Sequence, residues 1–204
     1  MCTVIVRVIA NNRIQGQKQD GKGKYMKPAP FLGDKTILRD RARHDMENGA
    51  VTPGYRANQT TIIKLLNQSL ATELVCVLRY RRHHFMASGL NARGIAQEFL
   101  EHANEELAHA DMLARRIVQI GGEPNFSPEG ILTRSHSEYV EGTTLIGMIE
   151  EDLIAERVAI DSYRETINYL ESDDPTTRRM LEEILAMEEE HAEDLAGLLK
   201  ELGS

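Results

Sequence analysis

The segments Glu105-Glu-Leu-Ala-His-Ala-Asp111 and Glu188-Glu-Glu-His191 decide how this chain is read. Each contains a Glu-x-x-His pair, Glu106 with His109 and Glu188 with His191. Residues three apart share one face of a helix, so both members of a pair project the same way. The flanking residues make that face apolar. Phe99, His102, Glu106, His109, Leu113, Ile117 and Ile120 recur at three- and four-residue steps, as do Leu181, Ile184, Glu188, His191, Leu195 and Leu198. Two further stretches carry the same stripe, each broken near its middle by one carboxylate. Ile62, Leu66, Leu70, Glu73, Val77, Tyr80 and His84 form the first; Ile149, Leu153, Glu156, Ile160, Tyr163 and Ile167 form the second. One Glu-x-x-His in a Glu-rich helix is ordinarily an exposed pair. Two of them, matched by a core-facing Glu on each of two other helices, need another explanation.

Working outward, the stripes predict four long helices. The first spans about 59–88, with Asn58 as its cap and Gly89 as its end. The second spans about 92–120, capped by Asn91 and stopped by Gly121-Gly122. The third begins near Thr143 or Thr144 and reaches Leu170, and the fourth opens with Pro175 after Asp174 and ends at Gly203. Asn caps, an initial Pro and a terminal Gly are what unsatisfied helix ends select. Helices of this length extend roughly 40–45 Å. Links of about three and about four residues force antiparallel hairpins, whereas residues 121–142 are long enough to run the length of the bundle. The expected fold is therefore all-α: a ferritin-like four-helix bundle of two antiparallel hairpins joined by a long crossover. Domain organisation reads as an N-terminal extension over 1–57, carrying one short helix from Asp34 to Asn48 closed by Gly49, and the bundle over 58–204.

Four carboxylates facing one another in an apolar core would each cost several kcal/mol unless compensated. Two divalent cations supply the opposing charge, and iron or manganese accepts mixed carboxylate and imidazole ligands. The chain resembles the bacterioferritin branch of the ferritin-like superfamily from about Thr60 to Leu202. The likeness is carried by Asn67-Gln-Ser-Leu-Ala-Thr-Glu-Leu74, by Glu105 to Asp111 and by Glu188 to His191. The separations, 33 residues from Glu73 to Glu106 and 32 from Glu156 to Glu188, agree with it. The resemblance implies Glu73, Glu106, His109, Glu156, Glu188 and His191 as ligands of two iron ions, with Glu106 and Glu188 bridging. It also implies Tyr80 as a tyrosine beside the centre. Asp152, one turn before Glu156, is a candidate partner for a ligand histidine. The implied activity is ferroxidase: Fe(II) oxidised to Fe(III) by O2 or H2O2, for iron storage or detoxification.

Departures from the family sharpen the expectations. Bacterioferritins place a haem-ligating Met directly after the second-helix Glu; Leu107 stands there, so haem is not supported. No fifth helix is expected after the fourth, which favours a homo-oligomer of at least a dimer, or a 12-subunit Dps-like shell, over the larger cage. Some Dps-like relatives keep a bacterioferritin-type site and carry a basic arm, but the oxidised-thiol pair near their site has no counterpart here. Cys2 and Cys76 are far apart, and Cys76 reads as a small core residue.

Charge and composition bound the alternatives. Residues 1–57 carry a net +6 and residues 58–204 a net −14. DNA protection through the basic arm is therefore a minor expectation, since the acidic body repels phosphate. A rubrerythrin-like peroxide-reducing enzyme would use the same carboxylates but would need an external electron donor. No apolar run approaches the roughly 20 residues of a membrane span. Residues 1–10 lack a signal-peptide cleavage pattern. The chain thus reads as soluble and cytoplasmic, with no membrane partner.

Overall fold

The computed structural model describes residues 33–89 and 92–203. The proposed cap Asn91 lies outside the described residues, as does most of the basic arm. Chain contacts divide the protein between Asp40 and Arg41, and all four long helices belong to the second unit. The described elements, in order, are α1 (Lys35–Ala42), a 3-10 turn (Met46–Asn48), α2 (Gln59–Met86), α3 (Ala92–Gln119), α4 (Ile131–Arg134), α5 (Leu145–Leu170) and α6 (Pro175–Gly203). Among the described residues there is no β-strand.

The short N-terminal helix is shorter than expected. Asp34 caps α1 through the amides of Thr36 and Ile37. The helix nevertheless breaks after Ala42, and Asp45 turns into the left-handed region at φ 52°. None of its residues is buried, so no packing offsets the fraying of so short a segment.

The long helices start where their caps place them. The Asn58 side chain accepts from the Thr61 amide at 3.0 Å, and Thr144 Oγ1 accepts from the Gly147 amide at 3.0 Å. Asp174 does the same for α6 through the Thr177 amide at 2.9 Å. Its carboxylate is also clamped by Arg116 at 2.8 and 3.0 Å and by the Tyr55 hydroxyl at 2.7 Å. At the far end of α3, Gly121 adopts φ 79°. A Cβ on the adjacent Gly122 would fall within 3 Å of Ile63 and Ile117. Only glycine lets the crossover leave against α2.

Helix α2 packs along α3 and α5 along α6, with the two hairpins facing each other through α2–α5 and α3–α6. Residue pairs across each seam run in opposite directions: Tyr80 with Glu156 and Glu73 with Tyr163 on one, His109 with Met187 and Arg116 with Thr177 on the other. Helix α5 is thus parallel to α3, the arrangement the long crossover was expected to produce. By length and composition α2 could cross a membrane, contrary to the sequence expectation. More than half of that window is buried against its neighbours, and the helix contains fully buried Glu73 and Arg79, so its apolarity is that of a bundle core.

The crossover is held by an ion network inside α2 and α5. Arg79, 1% exposed, places its Nε 2.8 Å from Asp152 Oδ1 and its Nη1 2.9 Å from the Glu138 carbonyl. His83 completes the network, with Nδ1 2.7 Å from Asp152 Oδ2 and Nε2 2.7 Å from the Glu141 carbonyl. His83, rather than the stripe residue His84, is the buried histidine at this end. Asp152 therefore anchors the crossover and partners neither His109 nor His191, because Arg79 and His83 occupy both of its oxygens.

Removing one member of a buried pair leaves the other charged and desolvated, at a cost of about 3–5 kcal/mol. Arg79→Ala is expected to lower the stability of the metal-free protein in urea unfolding by that amount. A loss below about 1 kcal/mol, the range of exposed pairs, would contradict the network's role.

Candidate metal centre

The apolar core is split in two. One cluster gathers Ile62, Leu66, Leu70, Leu113, Ile117, Leu181 and Ile184 towards one end; the other gathers Cys76, Ile95, Phe99, Met148, Ile149 and Leu195 towards the other. Between them, at mid-height of all four helices, lie Glu73, Glu106, His109, Glu156, Glu188 and His191, none more than 3% exposed. The layer exists because each stripe changes from aliphatic to acidic at the same level.

Two donor sets overlap in this layer. Glu73, Glu106, His109 and Glu188 bring one atom each within 4.8 Å of one another, and so do Glu106, Glu156, Glu188 and His191. Glu106 and Glu188 belong to both. The histidines aim Nδ1 inward: His109 lies 3.0 Å from Glu188 Oε1 and 3.3 Å from Glu106 Oε2, and His191 lies 3.3 Å from Glu106 Oε1 and 3.9 Å from Glu156 Oε2. Despite these approaches, Glu106 Oε1, Glu156 Oε2, Glu188 Oε1 and His191 Nδ1 have no hydrogen-bond partner of suitable angle. Buried polar atoms in folded proteins almost always have one.

Surrounding groups orient the layer. The Tyr80 hydroxyl donates to Glu156 Oε1, and the Tyr163 hydroxyl donates to Glu73 Oε1. Each tyrosine thus reaches across the α2–α5 seam to the carboxylate of the facing helix. Burial and neighbouring carboxylates push both phenols well above their ordinary range, so they remain neutral donors. His191 Nε2 stands 2.8 Å from Glu105 Oε2, the kind of outer carboxylate contact that fixes a ligand imidazole. Sequence reasoning did not assign Tyr163 or Glu105 here. Tyr163 follows Glu156 by seven residues as Tyr80 follows Glu73, a repeat that could have revealed it. Glu105, with a side chain 45% exposed, left no such signal.

The electrostatics show how crowded the layer is. Burial, then the nearby Glu106 charge, raises Glu73 to about 8. Burial and the charges of Glu106, Glu73 and Glu156 likewise hold Glu188 well above the carboxylate range. Burial and Glu156 oppose the charge on Glu106, yet contacts with Glu73, His109 and His191 outweigh them and keep it below its ordinary value. Burial disfavours charged histidine, but adjacent carboxylates override it and lift His109 to about 10 and His191 to about 9. Protons thus do part of the work of a cation.

A cavity of about 170 Å³ leads from the surface to His191 between α3 and α6. A larger groove, about 550 Å³, lies over α5 and the end of α6 beside Ile154 and Leu199 and touches none of the six residues.

This fold and donor layer define a ferritin-like protein. The chain matches the ferritin-like domain family over residues 63–203 and belongs to it. Bacterioferritin of Desulfovibrio desulfuricans is 28% identical over 146 residues, covering 70% of this chain and 78% of the relative. Bacterioferritin of Mycobacterium avium is 30% identical over 135 residues, covering 66% and 80%. Among solved structures, the dodecameric thioferritin of Bacteroides fragilis, a bacterioferritin-related protein, aligns with TM-score 0.69 at 30% identity over 72% of this chain and 88% of that one. A Dps protein from Bacillus brevis aligns with TM-score 0.66 at 26% identity, covering 69% and 96%.

The raised groups set a pH dependence with one sign. Glu73, near 8 in the fold against an ordinary 4.5, costs stability as pH rises through that interval. His109 and His191 stabilise the fold while protonated and lose this as pH rises from 6.5 to about 10 and about 9. The melting temperature of metal-free protein is therefore expected to fall between pH 6.5 and 9, and a rise across that window would contradict the assignment.

Proposed function

We propose that the six-residue layer binds two Fe(II) ions as substrate and supports their oxidation to Fe(III), in the service of iron storage or detoxification. The observation that carries this reading is the set of orphaned atoms. Three carboxylate oxygens and one imidazole nitrogen converge in the buried core without a hydrogen bond of suitable geometry. Such atoms are costly unless a cation completes them. Four Glu and two His in two overlapping sets suit a pair of divalent transition-metal ions, with Glu106 and Glu188 able to serve both.

The chain's own groups divide the work. Glu73 and His109 hold one position, Glu156 and His191 the other. Tyr80 and Tyr163 fix the orientation of the two outer carboxylates, and Glu105 fixes the His191 ring. The aliphatic layers above and below exclude water. Each pair of Fe(II) ions yields two electrons: with H2O2 and two protons the products are two Fe(III) and two waters, and with O2 and two protons they are two Fe(III) and one H2O2. Protons displaced from Glu73, Glu188, His109 and His191 on iron binding are available for this balance.

Stopped-flow absorbance of ferric product after anaerobic Fe(II) loading tests the centre. Glu106→Ala removes a carboxylate common to both positions and is expected to abolish the rapid phase. An unchanged rate in that variant would overturn the assignment.

The likeness to a dodecameric relative at 30% identity supports a multi-subunit shell that stores the ferric product. Size-exclusion chromatography with light scattering on iron-loaded protein, with iron measured on the same peak, is expected to show about twelve chains carrying many irons each. A dimer with about two irons per chain would reject storage and favour peroxide reduction by the same carboxylates.

A further inference from the structure

Outside the six-residue layer, the cavity between α3 and α6 is lined by Glu98, Glu101, Glu105, Glu190 and Asp194, together with His102, Met187 and His191. No lysine or arginine lines it. Acidic surface alone is common and implies no site. His102 is different: it is 2% exposed, and its ring stacks on His191 with centroids 4.1 Å apart and an angle of 21°.

The hydrogen bonding of His102 leaves one nitrogen unused. Its Nδ1 lies 3.2 Å from the Tyr80 oxygen. The Tyr80 hydrogen is committed to Glu156, so the phenol oxygen accepts and the imidazole proton resides on Nδ1. Nε2 then presents a lone pair towards Glu98 Oε1 at 3.6 Å and Asp194 Oδ2 at 4.0 Å. Both distances exceed a hydrogen bond. Three acceptor atoms, all within 4.8 Å of one another, thus face a common point with no donor among them. Ligands bound at about 2.0–2.2 Å to one tetrahedral ion sit about 3–4 Å from each other, and the two distances from His102 Nε2, 3.6 and 4.0 Å, match that spacing.

We propose that Glu98, His102 and Asp194 form a third, outer metal site for a divalent transition-metal cation at the mouth of this cavity. One imidazole and two carboxylates suit Fe(II), Co(II) or Zn(II). The buried histidine is pre-oriented by Tyr80 and His191, while the two acids, with side chains 35% and 49% exposed, adjust from the solvent side. A second trio, His102, Glu105 and His191, shares one residue with the outer site and one with the inner layer. Donor sets therefore follow one another from solvent to core, and each step keeps at least one ligand.

Zn(II), which does not change oxidation state, is the probe. Full-length protein is incubated with a slight excess of Zn(II), gel-filtered, assayed for zinc per chain and crystallised for anomalous diffraction at the zinc edge. Expected is an anomalous peak within bonding distance of His102 Nε2, separate from peaks at the inner layer. Glu98→Gln combined with Asp194→Asn alters only partly exposed side chains, so folding is preserved. The double variant is expected to lose one zinc per chain and the outer peak alone, whereas Glu106→Ala keeps the outer peak. Absence of that peak in the wild type, or an undiminished zinc count in the double variant, would overturn the outer site. Loss of inner peaks from the wild type with the outer peak present would instead overturn the ferroxidase reading.

Discussion

Four carboxylates and two imidazoles confined to one buried layer are the constraint around which this structure is organised. In metal-free protein, like charges brought within 4.8 Å of one another cannot all ionise in a low-dielectric core, and the layer responds by holding protons on Glu73, Glu188, His109 and His191. Even so, several atoms remain without partners. The surrounding architecture tolerates this because the aliphatic clusters on either side supply the packing the layer itself does not. The bundle is stable around its centre rather than through it. Folding energy from the two apolar halves holds the six side chains in place.

Positioning depends on the second polar system, Arg79 with Asp152 and His83. It ties the crossover to α2 and α5 beside Tyr80 and about one turn from Glu156. Since the crossover sets α5 parallel to α3, this network fixes which face of α5 meets α2 and hence where Glu156 sits. The clamp of Arg116 and Tyr55 on Asp174 does the corresponding task for α6. One charged network at each end, with the donor layer between them, gives the bundle its register.

Much of this could be read from residue spacing. The helical period, interrupted by one acidic residue per stripe, placed all six donors on core-facing sides, and cap chemistry at Asn58, Thr144 and Pro175 located helix starts within a residue or two. What spacing left unread has physical causes. Adjacent helical positions differ by about 100° of rotation, and a stripe some 100° wide does not separate His83 from His84 at its edge. Asp152 was expected beside a ligand histidine because it lies one turn from Glu156. Only the three-dimensional meeting of α2 with α5 shows that Arg79 captures it. Glu105 sits next to Glu106 and faces solvent in part, so its contact with His191 across to α6 depends on helix packing and not on its own helix.

The most direct test of the central claim is Mössbauer and electron paramagnetic resonance spectroscopy on protein loaded anaerobically with 57Fe(II) and then exposed to a limiting amount of H2O2. If the buried layer exists to hold a cation pair, the loaded protein contains two ferrous ions per chain with oxygen and nitrogen ligands. Oxidation then yields ferric iron that is silent in electron paramagnetic resonance because the two spins are coupled. A single bound ion per chain, or oxidation to an isolated high-spin ferric signal, would contradict the account.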